Sequence, residues 1–331
     1  MNGKKAYILL ALLMGFALPA CSDNSEGLDA TLEGNAAEKA ASTTEGAVLS
    51  AEDLAFPLGQ QIYSDTFTGE AYITPMIAND DVYHFPTTNN ITFAPGARSG
   101  WHRHGGMMLM VTGGVGYYQE EGKPAEIIRK GDVVECPEGV KHWHGAVPDS
   151  WFSQMVIFDV AYSPAETEPE EPVTDEQYED LETMEFESRT ATEDNAFMFQ
   201  RAAEAVGFDT FSGPAYVSSL LEEGNAAGAP GLHYVVFGKG VINNWHTHEG
   251  GQILIATDGI GYHQIEGQPV EILYPGDVAF CPPGETHWHG GSADTEFAHI
   301  AANTNPELTG LEWFGRISDA EYEQLAEQAA E

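Results

Sequence analysis

Cysteine is scarce in this chain: Cys21, Cys136 and Cys281 are the only three in 331 residues. Disulfide-stapled folds use many more, so a folded body here must be held by its own apolar core. Basic residues are scarce too, 13 Lys and Arg against 52 Asp and Glu, a formal net charge of −39 at pH 7. Such a surface repels phosphate backbones and anionic lipid, which excludes nucleic acid as a partner and reads as a solvated acidic coat. A membrane-length apolar run is also missing. The stretch Ala6 to Ala20 falls short of the roughly 20 residues that a spanning helix needs.

That stretch follows Lys4 and Lys5, and a positive start before a short apolar segment predicts a secretion signal over residues 1–21. It ends in Leu18-Pro19-Ala20-Cys21, which resembles the lipobox of bacterial lipoproteins. The resemblance implies lipidation of Cys21 and an exported protein anchored in the bacterial cell envelope, with Ser22 favouring the outer membrane. Membrane contact is then expected through the lipid anchor only. Ordinary signal cleavage near the same place is the alternative. Residues 22–55 are rich in Ala, Glu, Ser, Gly and Thr and carry no aromatic before Phe56, a composition that predicts a disordered tether.

Beyond the tether the sequence repeats itself. Asp65-Thr66-Phe67 returns as Asp209-Thr210-Phe211, and Trp101-His102-Arg103-His104 as Trp245-His246-Thr247-His248. Gly131-Asp132, Cys136-Pro137 and His142-Trp143-His144-Gly145 return as Gly276-Asp277, Cys281-Pro282 and His287-Trp288-His289-Gly290. The offset stays at 144 or 145 residues, so two whole domains are expected, at residues 56–165 and 201–331, rather than a solenoid of short repeats. Short apolar runs such as Gln252–Thr257, Val270–Leu273 and Val278–Cys281, punctuated by Gly and Pro, predict an all-β barrel or sandwich in each half. Thr174-x-x-Gln177 and Ser318-x-x-Glu321 are capping boxes, so each barrel should end in a short helix. The first of these helices belongs to an acidic linker over residues 166–200.

Eight of the 12 histidines sit in the repeated motifs, a concentration that packing does not explain. Residues two apart on a strand share a face, so His246 and His248 point one way while Thr247 points the other. A turn at Glu249-Gly250-Gly251 brings Gln252 back beside His248, and Pro282-Pro283-Gly284 turns the chain before His287 and His289. Three imidazoles and one amide oxygen converging inside a barrel make a site for a divalent transition metal. His102, His104 and His142 supply the first half in the same way. Sulfur ligands are absent, and open positions remain, which argues against a structural zinc knot. Trp143 and Trp288 alternate away from the metal face and should pack in the core. His84 and His233 lie outside the motifs and read as ordinary histidines, and His263, replaced by Tyr118 in the first half, is not expected to be a ligand.

Gly-x5-His-x-His-x3-Gln from Gly240 and Gly-x5-Pro-x-Gly-x2-His from Gly276 resemble the two cupin motifs. The His-Trp-His-Gly ending is similar to that of the manganese-dependent, (R)-mandelonitrile lyase-like hydroxynitrile lyases and of cupins related to carboxymuconolactone decarboxylase fusions. The resemblance covers residues 57 to 325, twice over. It implies a bicupin of two tandem jelly-roll-type β-barrels, with His246, His248, Gln252 and His287 holding manganese; iron, nickel or zinc are the alternatives. It places His289 and His299 beside the metal as proton carriers, with His144 and Gln154 at the corresponding pocket positions of the first half. Cupin halves commonly pack in pairs, so both a monomeric bicupin and a homo-oligomer are compatible with it. The first half departs from the pattern: its loop after His104 is one residue shorter and Met107 stands where Gln252 does, with Met108 the alternative. A neutral thioether is a poor partner for manganese, so the second half is expected to be the active one.

The functional expectation is a metal-dependent enzyme on a small organic molecule, of lyase type, cleaving a cyanohydrin or a related carbon–carbon bond. The resemblance carries that chemistry; the residues themselves give a Lewis-acid site with His289 or His299, expected to titrate near neutrality, moving a proton. Two other readings stand beside it: a dioxygenase of the quercetinase or diketone-cleaving kind, and a lipoprotein that binds a metal or small ligand without turnover.

Overall fold

The computed structural model describes residues 50–159, 167–191, 196–207 and 209–329. The expected signal segment, Cys21, the tether up to residue 49, residues 160–165 of the first expected domain and residues 166 and 192–195 of the expected linker therefore lie outside the described residues. No described helix is long and apolar enough to cross a membrane. Ala51–Asp53, within the expected tether, make one 3-10 turn.

The architecture is all-β, two tandem jelly-roll-type barrels each followed by a short helix. In the first barrel the long strand Met107–Glu120 belongs to both sheets. Its first half pairs with Val133–Cys136 and Phe152–Phe158, and its second half pairs with Ala125–Arg129 and His142–Ala146. Gly114, at φ +72°, turns that corner. A Cβ there would lie 1.8 Å from the Trp151 carbonyl oxygen, so only glycine lets one strand serve two sheets. In the second barrel the corner falls at Gly259, where the strand divides into Gln252–Gly259 and Gly261–Ile265 and the two five-stranded sheets separate.

The strand Met107–Val111 is buried on every residue, and its two faces go to different cores. Met107, Leu109 and Val111 fill the first barrel, whereas Met108 and Met110 join Phe56, Phe85, Met155 and Ile157 against Tyr234, Ile253, Ile255 and Ile300 of the second. Leu254 and Ala256 point into their own barrel. Burial on both faces is why these strands read as continuous apolar runs. Each such side chain contributes about 1.5–3 kcal/mol of burial free energy, so the shared sheet-to-sheet core is a major part of the stability.

The helices α1 (Asp175–Glu179) and α2 (Asp319–Ala329) begin at the expected caps, Thr174 with Gln177 and Ser318 with Glu321. Each is tied to its barrel at the end of the His-Trp-His strand. Tyr178 Oη donates to the Ala146 carbonyl at 2.6 Å, and Tyr322 Oη donates to that of Gly291 at 2.8 Å. The buried Arg98 guanidinium lies 4.5 Å from the Tyr178 ring and bonds Asp175 at 2.6 Å, clamping α1 from below.

Candidate metal centres

In the second barrel, strand pairing builds the site. His246 sits opposite His287 in register, and Gln252 opens the strand that follows the Glu249–Gly251 turn. The potential ligand atoms of His246, His248 and His287 lie within 4.8 Å of one another. His246 Nδ1–H donates to the Asn244 carbonyl at 2.9 Å, and His287 Nδ1 lies 3.2 Å from the Glu285 carbonyl. A ring that donates from Nδ1 presents the bare lone pair of Nε2, the form a metal takes. Gln252 Nε2 donates to Asn303 Oδ1 at 3.0 Å, which turns Oε1 inward to 3.2 Å from His287 Nε2. With the imidazole proton on Nδ1, two acceptors face each other there, an arrangement that a shared cation relieves. The donor set therefore fits a divalent metal.

His289 and His299 lie next to this group. Asn243 Nδ2 donates to His289 Nε2 at 3.0 Å, and Asn243 Oδ1 accepts the His289 backbone N–H at 2.9 Å. His289 Nδ1 and both nitrogens of His299 are buried without a protein partner. The two rings stand edge to face at 4.9 Å, and His299 stacks between Phe237 and Phe297 at 5.7 and 5.2 Å. Trp313, exposed on the edge strand paired with His246–His248, stacks on His246 at 4.6 Å. A cavity of about 210 Å³ reaches His248, walled by Glu223, Pro230, Asn303, Leu308 and Leu311.

The first barrel brings its histidines together differently. Here His102, His142 and His144 form the tight group, with ligand atoms within 4.8 Å. The His104 ring is 4.8 Å from that of His142 and 5.3 Å from that of His102. His102 and His142 donate from Nδ1 to the Gly100 and Val140 carbonyls at 2.9 Å each, and His104 to that of Gly105 at 2.5 Å. The Nε2 atoms of His104 and His142 are buried without partners. Met107 pairs with Cys136 as Gln252 pairs with Cys281, so Met107 and not Met108 occupies the glutamine position. Gln154 Nε2 lies 2.7 Å from His144 Nδ1, leaving Gln154 Oε1 without a partner.

Burial lowers the pKa of every one of these imidazoles. His246 and His248 fall to about 4 and His287 to about 2; His102 falls to about 4 and His142 to about 2. His299 falls to about 3, and His289 and His144 lie well below the usual histidine range, all through desolvation first. The expectation of near-neutral titration for His289 and His299 is thus corrected. The sequence shows a polar residue beside a metal but not the closed apolar shell of Phe237, Phe297 and the barrel wall.

Sequence reasoning missed three features. Asn243, which holds His289, stands where the first half has Ser99, a difference visible in the repeat alignment. Trp313 gave no signal because its strand pairing is non-local. His263, read as uninformative, is fully buried; its Nδ1–H donates to Glu271 at 2.7 Å and its Nε2 accepts from the Cys281 thiol at 3.0 Å. It is not part of either ligand group. His84 and His233 are exposed, and Trp143 and Trp288 are buried in the core with their Nε1–H groups bonded to Gln119 and Gln264.

Fold and sites together define a duplicated small-barrel protein with a cluster of imidazoles in each barrel that could hold a metal ion. The family model for the cupin domain matches residues 89–157. The (R)-mandelonitrile lyase of Granulicella tundricola is 37% identical over 114 residues, which cover 34% of this chain and 86% of that protein. The chain belongs to the cupin family. Among solved structures, a cupin-like protein of Thermotoga maritima is 38% identical, covering 39% of this chain and 97% of that one, at a TM-score of 0.37. Oxalate decarboxylase of Bacillus subtilis is 14% identical over 83% of this chain and 81% of its own, at a TM-score of 0.47.

Proposed function

We propose that this protein is an exported, lipid-anchored, metal-dependent lyase. Its second barrel would cleave a small neutral hydroxylated substrate of the cyanohydrin class to a carbonyl compound and hydrogen cyanide. The observation that carries the reading is the meeting of His287 Nε2 and Gln252 Oε1 next to three partnerless nitrogens on His289 and His299. A ligand set and a set of proton-handling groups then share one closed interior. The identity to a protein named (R)-mandelonitrile lyase supports the reaction class. The lipobox-like Leu18–Cys21 supports export, and the net charge of −39 favours an uncharged substrate over an anion.

His246, His248, Gln252 and His287 would hold the cation, manganese by family resemblance, and it would supply a Lewis acid to the substrate oxygen. His299 is neutral, with a lone pair that nothing engages, and takes the hydroxyl proton. As the carbonyl forms, the bond to the nitrile carbon breaks and its electron pair leaves with cyanide. The imidazolium then returns the proton to cyanide, so atoms and charge balance. His289, with Nε2 held by Asn243, turns its Nδ1–H toward the reacting groups and orients them. The apolar shell that lowers the pKa of His299 makes its protonation costly, so proton transfer must coincide with bond cleavage rather than precede it.

Cyanide release from mandelonitrile and from aliphatic cyanohydrins tests this directly. His299→Ala is expected to lower kcat by about 10²-fold or more, the usual scale for a proton-transferring group. Absence of cyanide release from every cyanohydrin tried, or oxygen consumption with a substrate panel, overturns the reading.

A further inference from the structure

In the two barrels an amide meets a different ring nitrogen of one equivalent histidine, Nδ1 of His144 beside Gln154 and Nε2 of His289 beside Asn243. In the second, the Asn243 amide donates to His289 Nε2 and accepts the His289 backbone N–H, so one ring nitrogen is occupied. In the first, Ser99 stands at that position. Its hydroxyl is 3.1 Å from the His144 backbone nitrogen and 3.2 Å from the His144 carbonyl, and it makes no bond to the ring. Accordingly His144, unlike His289, joins the close group of ligand atoms with His102 and His142.

We infer that His144 is a metal ligand, and that the first barrel holds an all-imidazole site for zinc or a similar nitrogen-preferring cation, whereas Asn243 keeps His289 off the metal in the second. The inference rests on the reading of both centres as metal sites. Three details carry it. The oxygen donor of the second site is gone, since Met107 occupies the place of Gln252 and packs in the apolar core with Leu109 and Cys136. The His104 ring adds a fourth imidazole at the edge, its Nε2 buried and unpaired. Finally, the amide of Gln154 is free to serve His144: turned about its last torsion, its partnerless Oε1 accepts Nδ1–H and leaves the Nε2 lone pair for the cation. A nitrogen-only set suits zinc, copper or nickel, whereas an amide oxygen suits manganese. Duplication has thus given one chain two centres of different chemistry, divided by a serine-to-asparagine difference.

The test is metal stoichiometry of the chelator-stripped full chain equilibrated with zinc, read by elemental analysis and by competition with a chromophoric chelator. Wild type is expected to bind zinc in both barrels. His144→Ala should weaken one of the two sites at least ~10-fold, the scale seen when a metal site loses a supporting group, while His289→Ala leaves both intact. Ser99→Asn, which offers His144 the amide that His289 has, should weaken the same site without removing a ring. Circular dichroism and thermal midpoint check that each variant folds. Wild-type zinc binding in both His144→Ala and Ser99→Asn, or equal losses in His144→Ala and His289→Ala, overturns the inference. A wild-type chain that binds no metal overturns it too, and with it the metal reading of both barrels.

Discussion

His84 and Asn305 meet across the boundary between the barrels: His84 Nδ1–H donates to Asn305 Oδ1 at 2.6 Å. They are the two non-glycine residues with positive φ among the described residues, +46° and +49°. Asn305 Nδ2 in turn donates to the Gly250 carbonyl at 2.7 Å and to that of Val82 at 3.0 Å. Gly250 lies in the turn that joins His248 to Gln252, so a contact from the first barrel braces two candidate ligands of the second. Left-handed backbone costs an L-residue about 1–2 kcal/mol, and the bonds across the boundary hold it there.

His84→Ala should therefore weaken metal binding in the second barrel by about 10-fold, the lower end for loss of a supporting interaction, and leave the first barrel unchanged. Asn305→Gly keeps the φ and loses the bonds, so it should reproduce that loss; Asn305→Ala adds backbone strain and should also lower stability. Competition titrations with a chelator, beside urea midpoints, separate the two effects. Unchanged affinity in both His84→Ala and Asn305→Gly would show that the strut is merely structural.

The buried imidazoles set a direction for acid stability. Burial holds His102, His246 and His248 at about 4, and His142 and His287 at about 2, below the usual 6.5. As pH falls through 6.5 the unfolded chain takes up protons that the native chain refuses. Stability of the metal-free protein is thus full above pH 6.5 and declines from there toward pH 4. The slope is about 1.4 kcal/mol per pH unit for each imidazole that stays neutral. Relief of acidic repulsion opposes this only near the carboxylate range, around pH 4. Urea unfolding of chelator-stripped protein at about pH 7 and about pH 5 checks the sign; equal or greater stability at the lower pH contradicts it.

Cys136 and Cys281 are free and fully buried. Burial pushes the Cys136 thiol up to about 12 and raises that of Cys281 as well, although the latter donates to His263. Neither thiol should react with a water-soluble disulfide reagent in the native protein, and both should react once it is unfolded in denaturant. Rapid labelling of either in the folded form, followed by peptide mapping, would contradict the barrel interior described above.

Gly116 and Gly261 face the rings of Phe152 and Phe297. A Cβ would come within 2.6 Å of the first ring and 2.4 Å of the second. Alanine at either position should cost about 1–3 kcal/mol through overpacking, measurable as a lowered urea midpoint. An unshifted midpoint would mean that the rings have room to retreat.

Much of this was legible in the sequence, because period-two alternation and a repeat at 144 or 145 residues can be read directly along the chain. They place His246 with His248, and His287 with His289, on common faces, and they pair Met107 with Gln252 once the register through Cys136 and Cys281 is known. Non-local events were not legible. Whether His144 or His289 is engaged depends on Ser99 or Asn243 from another strand. The near-neutral titration expected for His299 failed because Phe237 and Phe297 close over it from distant positions. His84 read as an ordinary surface or core histidine, since its partner Asn305 lies in the other barrel.

Elemental analysis of the purified protein, wild type beside His287→Ala and His142→Ala, tests the convergence of imidazoles around a cation most directly. The account expects metal in both barrels of the wild type, with each substitution emptying its own barrel and sparing the other. Metal content near zero in the wild type after equilibration with divalent cations, or content indifferent to both substitutions, would contradict it.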